Sequence, residues 1–65
     1  MKNKIKDLRS DHKLSQAELG SKVGVSRQAI NAVETEKHVP SLTLAFKIAD
    51  VFGLQIEEVF FPQKE

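Results

Sequence analysis

A chain of 65 residues forms one domain and buries only about 60% of the surface that it exposes when unfolded, so a catalytic cleft beside the core is not expected. The absence of cysteine excludes disulfides and thiolate metal sites, and the apolar runs are too short for a membrane span or a signal-peptide core. The net charge is only +1, yet residues 1–38 carry eight Lys and Arg against five Asp and Glu. We therefore expect a small cytoplasmic protein whose positive charge is concentrated in the first part of the chain.

The first predicted helix runs from about Asn3 to Asp11. Ile5 and Leu8 lie one turn apart on it and would face the core, while the Lys side chains around them face solvent. His12 follows in the connection and has no second ligand at metal-binding spacing, so we expect an exposed loop residue there. No metal site and no cofactor are predicted.

The second predicted helix covers about residues 16–23. Ser15 stands where this helix would begin, and Glu18 three residues later completes a capping box in which each side chain bonds the other residue's backbone amide. Gly24 stands where the helix must stop. These signals delimit a helix of about two turns.

The third predicted helix covers about residues 27–35, and Ser26 stands at its start. Ile30 and Val33 recur at helical spacing and would face the core. With the glycine turn before it, this helix completes a helix-turn-helix pattern. The opposite face holds residues suited to reading base edges: Arg27, Gln28, Asn31 and the small Ala32.

A fourth helix is predicted from Ser41, because Pro40 cannot extend the preceding helix and Ser41 can cap a new one that ends at Gly53. Its expected apolar stripe consists of Leu42, Ala45, Ile48, Ala49 and Phe52. A short fifth helix follows, less well capped by Gln55, with Ile56, Val59 and Phe60 facing inward. The predicted fold is all-α, a compact five-helix bundle with a short extended C-terminal tail.

One long stretch, Q-A-E-L-G-S-K-V-G-V-S-R-Q-A-I-N-A-V-E, resembles the Cro/cI-type helix-turn-helix of phage repressors and small bacterial regulators, also called the xenobiotic-response-element family. The similarity continues through P-S-L-T-L-A-F-K-I-A to G-L-Q-I-E-E-V-F and covers about residues 3–60. It implies that residues 1–65 form a single lambda-repressor-like DNA-binding domain. The implied function is sequence-specific regulation of transcription.

The family resemblance also implies a structural ion pair. In this family an arginine at the position of Arg9 pairs with the glutamate that ends the recognition helix, which is Glu34 here; the alternative is two independent surface charges. Two residues depart from the family pattern. Gly20 replaces the usual alanine where the motif helices cross, and Glu36 replaces the glycine that leaves the recognition helix in a left-handed conformation.

The resemblance and the side-chain chemistry together predict the DNA contacts. Arg27 suits guanine O6 and N7, although it could lie on a phosphate, and Gln28 suits adenine N6 and N7. Asn31 could reach a base or a backbone oxygen, and Ala32 could touch a thymine methyl. The alternative is a solvated helix face. The predicted phosphate contacts are Gln16, Ser26, Lys37 and Ser41.

Self-association is expected because one module of this size has a small footprint on DNA. The predicted dimerisation region is residues 54–65, with Ile56, Phe60 and an exposed Phe61 in the interface. The predicted partners are double-stranded DNA and a second copy of the chain, without a membrane or a small-molecule ligand. We expect a homodimeric repressor on a palindromic operator; the alternative is an antitoxin-like or adaptor module that needs a partner chain. No residue pattern supports an enzyme.

Overall fold

Five helices form most of the computed structural model, which describes residues 1–62. Two short strands, one before the first helix and one after the last, pair with each other in an antiparallel sheet. In chain order the elements are β1 Lys2–Asn3, α1 Ile5–Asp11, α2 Gln16–Val23, α3 Arg27–Glu34, α4 Leu42–Val51, α5 Ile56–Val59 and β2 Phe60–Phe61. The predicted five-helix bundle is confirmed, with the small sheet added to it.

The paired strands correct the predicted start of the first helix. Asn3 lies opposite Phe60 in the sheet, and α1 begins only at Ile5. The Asn3 side chain ends the strand, because its Oδ1 accepts a hydrogen bond from the Ile5 amide at 3.1 Å. The Lys4 amide donates to the Val59 carbonyl at 2.9 Å and continues the link between the two ends of the chain.

Serine caps begin the three longer helices after α1, as predicted. The hydroxyls of Ser15, Ser26 and Ser41 each accept from the backbone amide three residues later, at 3.0 to 3.1 Å. The capping box is complete, since a Glu18 carboxylate oxygen accepts from the Ser15 amide at 2.8 Å. At the start of α5 the backbone amide of Gln55 donates a hydrogen bond to a Glu58 carboxylate oxygen at 2.9 Å. This bond stabilises the start of the helix, where Gln55 was expected to be a weak cap.

A residue in the left-handed conformation follows each of the first four helices. Gly24 and Gly53 have φ of 80° and 67°, and Glu36 has φ of 67° at the position where the family commonly has glycine. Lys13 has φ of 56° after α1, a conformation that was not predicted. There the Leu14 amide donates to the Arg9 carbonyl at 2.9 Å, a hydrogen bond that closes the last turn of α1.

Residues from every helix form one apolar core. The buried members are Ile5, Leu19, Val23, Ile30, Val33, Ala45, Ile48, Ala49, Phe52, Val59 and Phe60. Leu42 was expected in the buried stripe of α4, but 68% of its surface is exposed. It is the first residue of the helix, directly after the Ser41 cap, and the first fully buried residue of α4 is Ala45, one turn later. Phe46 is also half exposed, at 49%.

Within residues 1–62 no helix is long and apolar enough to cross a membrane. The same residues contain no group of three or more metal-binding side chains.

Candidate nucleic-acid interface

Close contact between α2 and the turn positions the third helix. A Cβ atom built on Gly20 would lie 2.6 Å from the Val25 carbonyl oxygen and 3.2 Å from that of Ser26. Both atoms belong to the backbone, which cannot move aside as a side chain can. The turn therefore closes over Gly20 more tightly than an alanine would allow without a shift.

The outer face of α3 presents the predicted base-reading residues. Arg27 and Gln28 are exposed, while Asn31 and Ala32 are half buried. The inner face, with Ile30 fully buried, packs into the core. This division matches the one predicted from helical spacing, whereas the DNA contacts themselves stay predictions.

Glu34 is the only carboxylate of α3, and it is paired with Arg9 instead of being exposed on that outer face. Glu34 accepts two hydrogen bonds from Arg9, from Nε at 2.9 Å and from Nη2 at 2.8 Å, and the two side chains are only 8% and 16% exposed. The hydrogen bond to Glu34 raises the pKa of Arg9, outweighing the opposing effect of burial. Arg9 Nη1 also donates to the Leu14 carbonyl at 3.0 Å. The pair ties α1 and the α1–α2 connection to the end of α3.

Asn3 supports the same end of α3, a role that was not predicted from the sequence. Its Nδ2 donates to the Val33 carbonyl at 3.0 Å, which binds the N-terminal strand to the last turn of α3. The residues are 30 positions apart, and an asparagine near the N-terminus gives no local signal of such a contact.

Gln16 and Asn31 contact each other directly. Gln16 Nε2 donates to Asn31 Oδ1 at 3.1 Å in a partly buried contact between the first residue of α2 and the middle of α3. Gln16 was predicted to bind a phosphate, and its bond to Asn31 was not predicted.

The other predicted phosphate-binding residues lie at helix ends. Ser26 and Ser41 are exposed caps of α3 and α4, and their hydroxyl oxygens already accept one amide hydrogen bond each. Each hydroxyl hydrogen remains able to donate. Lys37 is exposed just after the left-handed Glu36.

The predicted dimer residues are less available than expected. Phe60 is only 6% exposed and belongs to the core of its own chain, which leaves little of its side chain for a contact between copies. Phe61 was expected to be exposed, but it is half buried, pairs with Lys2 in the sheet and lies 5.5 Å from the Lys4 ammonium. Ile56 is half buried against the core. Residues 63–65 of the predicted dimerisation region lie outside the described part of the chain.

Comparison with known proteins agrees with this geometry. A helix-turn-helix family model of the Cro/cI type matches residues 5–59. A transcriptional regulator of the helix-turn-helix type from Methanocaldococcus jannaschii is 57% identical over 60 residues, which are 92% of this chain and 91% of that protein. YgzD of Bacillus subtilis, named as the same type of regulator, is 48% identical over 65 residues, with 100% and 98% of the two chains covered.

Among solved structures, the crystal structure of the P22 c2 repressor in complex with a synthetic operator is similar. Its TM-score is 0.80 at 28% sequence identity, and the match covers 83% of this chain and 82% of the repressor chain. The shared arrangement includes the greater part of the bundle described above. The chain belongs to the Cro/cI-type helix-turn-helix family.

Proposed function

We propose that this protein is a sequence-specific regulator that binds double-stranded DNA through α3 in the major groove. The observation that carries the proposal is the separation of charge on α3. Its exposed residues include Arg27 and Gln28, whereas its carboxylate, Glu34, is held in the ion pair with Arg9. Because Glu34 is paired, α3 can enter the groove of the negatively charged DNA without an unpaired carboxylate that would be repelled by the phosphates.

Direct readout would come from the first turns of α3. An exposed guanidinium can bind guanine O6 and N7 in two places, and an exposed glutamine amide can do the same with adenine N6 and N7. We assign these roles to Arg27 and Gln28, and we assign Ala32 to contact with a thymine methyl.

Phosphate contacts would set the position of α3 in the groove. The proposed donors are Lys37 and the hydroxyls of Ser26 and Ser41, which lie at the ends of α3 and α4. Gln16 at the start of α2 completes the set. These contacts carry no base information, so they would strengthen binding to all sequences alike.

We further propose that two copies bind a palindromic operator with half-sites about one helical turn, 34–36 Å, apart. The apolar side chains that the monomer leaves most exposed suit this contact: Val39 at 59%, Leu42 at 68% and Phe46 at 49%. Three such side chains provide far less than the about 800 Å² per partner of a stable interface. The dimer would therefore form mainly on DNA, where the two half-sites bring the copies together.

The proposed outcome is repression: the bound protein blocks the access of polymerase to a promoter. One finding supports it: the similar P22 c2 protein is a repressor whose solved complex contains an operator. The proposed location of the protein is the cytoplasm.

Selection of binding sites from a random double-stranded DNA pool tests the proposal. The purified protein should enrich a pseudo-palindrome, and binding to it should weaken as salt rises. Gln28→Ala should lose discrimination at one base pair by about 1–3 kcal/mol, whereas Lys37→Ala should weaken all sequences alike. Failure to enrich any sequence would contradict the proposal and favour a module that needs a partner chain.

A further inference from the structure

We propose that Gln16 is a positioning residue that makes Asn31 a hydrogen-bond donor towards DNA. The inference rests on the proposed function and adds which bases the Asn31 amide favours. The observation is the bond from Gln16 Nε2 to Asn31 Oδ1 at 3.1 Å, which joins the two helices of the motif. Asn31 by its sequence alone could serve either as donor or as acceptor.

An asparagine amide has one oxygen that accepts and one nitrogen that donates two hydrogen bonds. Gln16 bonds the Asn31 oxygen from the α2 side, which holds this oxygen towards α2 and turns the Nδ2 hydrogens away from it. The oxygen keeps a second lone pair. Bidentate recognition of adenine needs the oxygen and the nitrogen to face the base together, and an oxygen held towards α2 does not suit it.

A donor amide selects acceptors on the major-groove edge. Guanine O6 and N7, adenine N7 and thymine O4 accept, whereas cytosine presents its N4 donor. Asn31 held by Gln16 would therefore favour a guanine or thymine oxygen and reject cytosine at the position it faces.

The electrostatics of DNA favour this orientation of both amides over the reverse. With Nε2 towards Asn31, Gln16 keeps its second Nε2 hydrogen for a phosphate oxygen, so both side chains offer donors to a polyanion. Reversal of both amides would turn carbonyl oxygens towards the DNA.

Both partners are held in place by their surroundings. Gln16 directly follows the Ser15 cap, whose two reciprocal hydrogen bonds with Glu18 fix the first turn of α2. Gln16 and Asn31 are half buried, which restricts their side-chain freedom more than at Arg27 or Gln28. The contact is thus a preformed part of the reading face.

Gln16→Glu provides the sharpest test, because a carboxylate can only accept. It would draw Asn31 Nδ2 inward and turn Oδ1 towards the DNA. In site selection from random duplex DNA we expect the base preferred at one position to change from guanine or thymine to cytosine, because adenine presents both an acceptor and a donor and suits either orientation of Asn31. The change in relative preference should be about tenfold, as for one good base contact.

Lys37→Gln is the matched control, since it also lowers the charge of the proposed phosphate-binding set by one unit but does not change the residue that bonds Asn31. It should weaken every site and leave the relative base preferences unchanged. In an Asn31→Ala background, Gln16→Glu should likewise change no preference. Thermal melting of each variant establishes that it is folded before selection.

The outcomes separate the inference from the proposed function. If the unsubstituted protein enriches an operator but Gln16→Glu only weakens binding uniformly, Gln16 is a plain phosphate contact and the inference is overturned. If the unsubstituted protein enriches no sequence, the proposed function fails and the inference fails with it. A changed preference that persists in the Asn31→Ala background would also overturn it.

Discussion

Arg9 and Glu34 are 25 residues apart in the chain and are joined by two hydrogen bonds of 2.9 and 2.8 Å. The parallel contacts use both oxygens of the carboxylate and two nitrogens of the guanidinium. They anchor the end of α3 to α1 and keep a negative charge off the face proposed to meet DNA. The contact therefore serves stability and electrostatics together.

Arg9→Ala should destabilise the protein by about 3 kcal/mol, because it leaves the nearly buried Glu34 carboxylate without its partner. Denaturant unfolding followed by circular dichroism measures the change. The double variant Arg9→Met, Glu34→Met is the control and should cost less than Arg9→Ala, since it leaves no unpaired buried charge. Unchanged stability in Arg9→Ala would mean that the two groups act as independent surface charges.

Gly20→Ala should destabilise the protein although alanine is the better helix former by up to about 1 kcal/mol. The new methyl would lie 2.6 Å from the Val25 carbonyl, and the turn would have to move. We expect a net loss of about 1–2 kcal/mol, typical of overpacking, in thermal melting. Ala17→Gly, on the exposed side of the same helix, is the reference for helix propensity alone. A higher Tm for Gly20→Ala would show that the turn can relax at no cost.

Glu18 should contribute to the pH dependence of stability. Hydrogen bonds from the backbone and side chain of Ser15 lower the pKa of Glu18 below its ordinary value. Because the folded-state pKa is the lower one, its stabilisation is present above the unfolded-state pKa and is lost as pH falls through the folded-state pKa. Glu18→Gln can still accept a hydrogen bond from the Ser15 backbone amide but has no carboxylate to protonate. In that acidic interval its free energy of unfolding should therefore depend less on pH than that of the unsubstituted protein. Equal profiles from denaturant titrations at each pH would contradict this assignment.

Leu42→Ser should weaken binding to a full palindrome and leave binding to an isolated half-site unchanged. Its side chain is 68% exposed in the monomer, so the folded monomer loses little when it is removed. Loss of one buried leucine contact at the proposed interface should lower full-site affinity on the order of tenfold. Thr43→Ser, at the adjacent exposed position of α4, is the control. Equal losses on full and half sites would place the dimer contact elsewhere.

Local signals in the sequence predicted the helices well. Ser15 and Glu18, or Ser41 and the amide of Leu44, are only three residues apart, so the contacts that begin a helix can be identified from neighbouring residues. The same holds for Gly24, whose left-handed conformation follows from its place directly after the last turn of α2. Such interactions depend little on the rest of the fold.

Long-range contacts could not be identified in this way. The pairing of Lys2 with Phe61 brings together the two ends of the described chain. Because of this pairing, α1 begins later than predicted and Phe61 is less exposed than predicted. Leu42 and Phe60 are both apolar residues at helical spacing, yet one is exposed and the other buried. Which apolar residues reach the core depends on how the helices are oriented in the bundle.

Local capping and spacing thus predicted the order of the helices and the outer face of α3, and the family followed from the resemblance of a long stretch of sequence. How the residues of that face are held depends on the tertiary structure. The bond between Gln16 and Asn31 and the support of α3 by Asn3 depend on the distance between elements that are remote in the chain. That distance is set by packing of the whole core, which no local pattern encodes.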